Sequence, residues 1–110
     1  MNLEKESTYR PLPSCLTVKE SGIEGLGLFA KEDIPSGTNL GITHIDSIDV
    51  QGWIRTPLGG FYNHSITPNC RKELEFVQGN DYYEAYQLIT SEDIKAGDEL
   101  TVEYSLYEIK

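Results

Sequence analysis

Positive charge is what this chain has least of: nine lysines and arginines stand against eighteen aspartates and glutamates in 110 residues, a net charge of −9. Such a surface repels phosphate backbones, which argues against nucleic acid as a partner; the charge either serves solubility or draws in a basic partner by long-range steering. Cysteine is scarce too. Cys15 and Cys70 alone fit neither a disulfide framework nor a structural zinc site, which takes four suitably spaced ligands, so no metal is expected and a reducing, cytosolic-type compartment is the simplest setting. Long apolar runs are absent, and Glu4 and Glu6 come early, so the chain is expected to have no signal peptide and no membrane span, and to be soluble and cytoplasmic. The length suits one core and leaves no room for a second domain of ordinary size.

What is present reads mostly as short strands. Residues 1–13 are polar, end in Arg10-Pro11-Leu12-Pro13 and lack a sustained period, which predicts an extended arm before a domain spanning 14–110. Cys15 to Glu20 alternates as a first strand. The turn Gly22-Ile23-Glu24-Gly25-Leu26-Gly27 follows, then the apolar strand Leu28-Phe29-Ala30. As a phosphate loop the turn fails, because no Lys-Ser/Thr pair and no helix come after it; its glycines still allow main-chain amides to approach a ligand, or form a hairpin bulge.

An internal echo, Glu32-Asp33-Ile34-Pro35-Ser36-Gly37 and Glu92-Asp93-Ile94-Lys95-Ala96-Gly97, predicts two similar turns. In each an isoleucine plugs the core and the glycine launches a strand, Asn39 to Ile42 or Glu99 to Tyr104. Between Gly41 and Gly60 no long helix fits. Trp53 is the largest apolar anchor there, Arg55-Thr56-Pro57 a turn, and His44 a partly exposed strand residue without a functional role. Lys72 to Val77, with Leu74 and Phe76 on one side, and Tyr82 to Thr90 form a hairpin through Gln78-Gly79-Asn80-Asp81, its tyrosines read as cross-strand packing. The fold class is mainly β.

The stretch Gly59-Gly60-Phe61-Tyr62-Asn63-His64-Ser65-Ile66-Thr67-Pro68-Asn69-Cys70 is hardest to explain as core. Asn63 and His64 set donors and acceptors side by side, between two glycines and a Pro-Asn pair that predict a tight, irregular backbone path. Such a turn suits a small polar ligand, or is a loop whose Asn and His satisfy their own backbone. Three pieces then stand in order: Gly25-Leu26-Gly27 before Leu28-Phe29-Ala30; Asn63-His64-Ser65 with Pro68-Asn69-Cys70; and Gly97-Asp98-Glu99-Leu100-Thr101 ending in Tyr104. Together they resemble the SET domain of protein lysine methyltransferases, over about Cys15 to Tyr107, and most resemble its minimal viral and bacterial members.

That resemblance implies small curved sheets with a C-terminal pseudoknot. It implies transfer of a methyl group from S-adenosylmethionine to a lysine of a basic protein or peptide, in the host cell if the chain is viral. Gly25, Leu26 and Gly27 would contact that cofactor through their main chain, Asn63 would hold its methionine end and His64 its adenine. Tyr104 would be catalytic, and Tyr62 and Tyr107 would line the substrate side. The alternative is a catalytically degenerate SET-like protein-binding module. The family's peptide-groove insert is nearly missing, no cysteine follows Tyr104, and Val102 stands where many members carry Phe or Tyr; a homodimer or the tail with Leu106 and Tyr107 would supply the wall. Asp98, Glu99, Glu103 and Glu108 would steer a basic substrate as exposed carboxylates.

Overall fold

The computed structural model describes residues 12–46, 53–78 and 82–104. It contains β1 (Leu16–Glu20), β2 (Leu26–Ala30), β3 (Asn39–Asp46), β4 (Trp53–Arg55), the one-turn helix α1 (Pro57–Phe61), β5 (Asn63–His64), β6 (Cys70–Gln78), β7 (Tyr82–Thr90) and β8 (Glu99–Val102). Two four-stranded sheets result, ordered β1-β2-β8-β5 and β4-β3-β7-β6. All neighbours are antiparallel except β5 and β8, which run parallel with Asn63 beside Thr101 and His64 beside Val102. The mainly β architecture expected from the sequence is observed.

The core lies where the two sheets meet, and the alternation of apolar residues explains it. Leu16, Leu28, Leu40, Leu58, Leu88, Leu100 and Val102 are buried together with Ile34 and Ile94. Each such side chain stabilises the fold by about 1.5–3 kcal/mol relative to exposure. Leu12, at the end of the expected arm, packs against this core; residues 1–11 lie outside the described residues.

The echoed turns meet each other. Ile34 and Ile94 exchange two backbone hydrogen bonds of 2.8 Å, Asp93 Oδ1 accepts from Ser36 N and Asp33 Oδ1 from Ala96 N, both at 2.9 Å. Each turn's aspartate thus caps the other turn. Gly37 and Gly97, with φ of 83° and 95°, take the left-handed backbone that only glycine adopts freely. The similarity read in the sequence is therefore a local pairing that directs β3 and β8 into the two sheets.

Four expectations need correction. Trp53 is no buried anchor: β4 is a three-residue edge strand, and the indole stays 45% exposed, leaning on Tyr86 with ring centres 5.2 Å apart. The other edge strand, β6, leaves Leu74 46% exposed in the same way, on the alternating strand that the sequence predicted. The third strand runs four residues further than expected, to Asp46, carried by its pairing with β7. Lastly, Gly59 and Gly60 are helical, and of Arg55-Thr56-Pro57, expected as a turn, Arg55 ends β4 while Thr56 caps the helix and Pro57 begins it. The tip of the β6–β7 hairpin, residues 79–81, lies outside the described residues, as do residues after Tyr104, on which the expected pseudoknot depends.

Candidate active site

The site begins with how α1 delivers Tyr62 and Asn63. Thr56 is extended (φ −84°, ψ 169°), and its side chain accepts from Gly59 N at 3.3 Å. Pro57 then takes the first helical position, where its missing N–H costs nothing. The Thr56 hydroxyl also donates to Ile42 O at 2.7 Å, fixing the helix start to β3. Gly59 is required for close approach: a β-carbon there would overlap the carbonyl oxygen of Thr43 and lie 3.0 Å from its carbonyl carbon. The helix stops at Tyr62, which is extended at φ −70° and ψ 150° and leads straight into β5.

Asn63 reaches the glycine turn. Its Nδ2 lies 3.1 Å from Glu24 O, 3.2 Å from Leu26 O, 3.1 Å from Ser21 Oγ and 2.8 Å from Glu99 Oε2. Carbonyl and carboxylate oxygens only accept, so the NH2 end of the amide faces them, its two hydrogens shared among the four neighbours. Oδ1, the other end of the same amide, can only accept. Ser21 Oγ sits 2.8 Å from both oxygens of Glu99 and accepts from Ile23 N at 2.8 Å, while Ser21 N donates to Gly25 O at 2.8 Å. The turn is thereby closed on Ser21. Gly25 has φ of 48°, and Leu26 is 51% exposed, so the turn offers its main chain at the surface. Gly27 is buried against Glu99: a β-carbon there would overlap Glu99 Oε2 and stand 3.1 Å from Asn63 Nδ2.

On the other side of β5, the parallel pairing with β8 carries Tyr104 over Tyr62 and His64. The Tyr104 hydroxyl donates to Tyr62 O at 3.0 Å, and its backbone N–H donates to His64 Nδ1 at 2.9 Å. A neutral His64 therefore carries its proton on Nε2. The rings of Tyr62 and Tyr104 meet edge to face at 6.0 Å, and those of His64 and Tyr104 lie 5.1 Å apart. Asn69 steadies β8 itself, donating to Glu99 O and accepting from Thr101 N, both at 2.9 Å.

Of the sequence-predicted site residues, Gly25, Leu26, Gly27 and Asn63 converge on one side of β5, and Tyr62, His64 and Tyr104 on the other; Tyr107 lies outside the described residues. His64 has a side-chain task that the sequence did not suggest, holding the Tyr104 backbone. Glu99 was read as an exposed steering carboxylate and is instead a half-buried acceptor for Ser21 and Asn63. Asn69 belongs to the Pro68-Asn69-Cys70 piece of the motif but carried no assigned role, and Ser21 was read only as the residue that breaks the first strand. A serine one residue before a glycine turn is a recognisable signal, but Ser21 and Glu99 are 78 residues apart, and pattern cannot join them.

Cys70 is buried next to this site, and desolvation pushes its thiol up to about 12, with Glu92 adding to the effect and Arg71 opposing it. Cys15 is also raised, mainly by burial. Neither thiol has the environment of a nucleophile. Among the described residues no group of three or more His, Cys, Asp or Glu side chains is placed to hold a metal ion.

Two small sheets joined through echoed turns, with an Asn-His strand parallel to a strand that leads on to Tyr104, define a small β-fold. The profile of the SET domain matches residues 42–105, and the chain belongs to the SET domain family. In a comparison of sequences with curated proteins none matches. Solved structures are similar. A Plasmodium falciparum protein assigned as a histone methyltransferase superposes with a TM-score of 0.70 at 20% identity, covering 89% of this chain and 99% of that one. The Polycomb Repressive Complex 2 of Chaetomium thermophilum bound to S-adenosylmethionine gives 0.66 at 22% identity, over 83% of this chain and 15% of that one. The same complex with H3K27me3 and H3K27M gives 0.65 at 21%, over 82% and 14%. The chain thus spans about one seventh of the Chaetomium chains and nearly all of the Plasmodium one.

Proposed function

We propose that this protein is an S-adenosylmethionine-dependent methyltransferase acting on a lysine side chain in a basic protein segment. The observation that carries the reading is the junction at β5, where the Asn63 amide is tied to the glycine turn and the Tyr104 hydroxyl to the carbonyl of Tyr62. The donor set fits such a cofactor. Asn63 Oδ1 can only accept, the turn exposes main chain, and Glu99 places a carboxylate beside both, a combination that suits the ammonium of an amino-acid end. His64 would meet the adenine side through its backbone. When bound, S-adenosylmethionine supplies a methyl group activated by a sulfonium.

The chain's own residues do the rest by alignment. The Tyr104 hydroxyl gives its proton to Tyr62 O, so its oxygen would meet an incoming amine as an acceptor that orients it, not as a base. Tyr62, edge-on to Tyr104, forms a wall beside which the incoming amine is placed, and that amine must give up its proton to water before transfer. This matters because only about one free lysine in a thousand is neutral near pH 7. Isothermal calorimetry with S-adenosylmethionine, followed by labelled-methyl transfer to a panel of basic proteins, tests the reading. One cofactor per chain and labelled lysine are expected. No binding at millimolar cofactor overturns it, and binding without transfer leaves the protein-binding module.

A further inference from the structure

Lys72 lies on β6 opposite Leu88 of β7 and is half-buried. Its Nζ sits over two rings, 5.0 Å from the centre of Tyr86 and 5.7 Å from that of Tyr62. Two rings within about 6 Å attract the one ammonium, a stronger hold than a single exposed cation–π pair. Tyr62 is the residue whose carbonyl holds the Tyr104 hydroxyl at 3.0 Å and whose ring meets Tyr104 edge-on at 6.0 Å. The chain therefore brings a lysine of its own to the wall that the proposed reaction reserves for a substrate lysine. A cavity of about 370 Å³ beside it, lined by Cys70, Lys72, Tyr86, Val102 and Glu103 among others, gives the four-carbon stem room to swing.

We propose that Lys72 is a methyl acceptor within its own chain, an activity that rests on the methyltransferase reading above. In the step, the Lys72 ammonium first releases a proton to water. The amine lone pair then forms the N–C bond to the methyl of a sulfonium donor while the S–C bond breaks, its electron pair staying on sulfur. The products are methyl-Lys72 and a neutral thioether. Tethering makes the encounter intramolecular, at an effective concentration on the order of millimolar. Methylation keeps the positive charge, so the product remains suited to the two tyrosine rings.

The test uses the full chain. It is incubated with S-adenosylmethionine alone over a dilution series, Lys72→Arg and a basic peptide panel run alongside, and the digests are read by mass spectrometry. Separately, without cofactor, side-chain NMR of wild type and Tyr86→Leu reads the ring-current shift of the Lys72 ε-protons. The expected results are a methyl on Lys72 at a rate per chain independent of protein concentration, its loss in Lys72→Arg with peptide methylation retained, and an upfield ε shift that Tyr86→Leu reduces. Unmodified Lys72 beside methylated peptides overturns this proposal alone. Absence of transfer to every lysine overturns the underlying methyltransferase reading and this proposal with it. A rate that rises with protein concentration, or ε-protons without the shift, overturns the intramolecular seat.

Discussion

Replacing Glu99 by glutamine removes one charge and almost no volume, and so isolates the carboxylate that joins three parts of the site. Glu99 accepts the Ser21 hydroxyl at 2.8 Å and the Asn63 amide at 2.8 Å. Both are charge-assisted, each contributing about 1.5–3 kcal/mol against about 0.5–1.5 for a neutral bond. Glutamine keeps one acceptor and turns an NH2 group toward the other donor. One hydrogen bond is lost and the other weakened, and partial exposure holds the cost near the lower end, about 1–2 kcal/mol. In a domain of this size that lowers Tm by about 4–10 °C. Glu103→Gln, at an exposed position on the same segment, should move Tm by little, as surface changes usually stay within about 0.5 kcal/mol. Thermal unfolding of both variants decides it, and calorimetry with S-adenosylmethionine should show weaker binding for Glu99→Gln because Asn63 is freed to rotate. Equal melting temperatures for the two variants would refute the network as a structural unit.

Gly59→Ala sets two effects against each other: helix propensity alone gives a gain of about 1 kcal/mol, whereas the overlap with the Thr43 backbone costs about 1–3 kcal/mol or more; chemical denaturation should show a net loss. For Cys70, the unfolded thiol ionises near 9.0 and the folded one near about 12, so the unfolded state releases its proton first. Stability is then full below about pH 9 and falls toward pH 12 by about 1.4 kcal/mol per unit. Cys70→Ala should flatten that alkaline slope, and an unchanged slope would contradict the assignment. Lysine peptides of basic sequence should be turned over in preference to acidic ones at low salt, with the difference shrinking as salt rises; equal turnover would mean that the −9 charge serves solubility alone.

The strands and the echoed turns were legible because alternation and glycine position are local signals. Ile34 and Ile94 could be read as core plugs from their six-residue settings, although nothing local said that they pair with each other. Trp53 was misread because size argues for burial, whereas position at a sheet edge decides exposure, and edge status is set by partners distant in sequence. Gly59 and Gly60 looked like loop residues because glycine disfavours helices, yet Gly59 is there for contact with the backbone of β3. The motif residues Asn63, His64 and Tyr104 were legible through family resemblance. Ser21 and Glu99 were not, since their meeting depends on β2 lying between β1 and β8.

The account stands most directly on the Tyr104 hydroxyl, and the decisive measurement is single-turnover methyl transfer to a lysine peptide by wild type and Tyr104→Phe, with cofactor affinity measured on the same samples. Phenylalanine keeps the ring against Tyr62 and His64 and removes only the group bound to Tyr62 O at 3.0 Å. If that oxygen orients the amine, the transfer rate should drop by about 10²–10³, comparable with removing one preorganised transition-state donor, while S-adenosylmethionine affinity and Tm change little. A folded Tyr104→Phe protein that binds cofactor and transfers methyl at the wild-type rate would contradict the assignment of Tyr104 and the mechanism built on it.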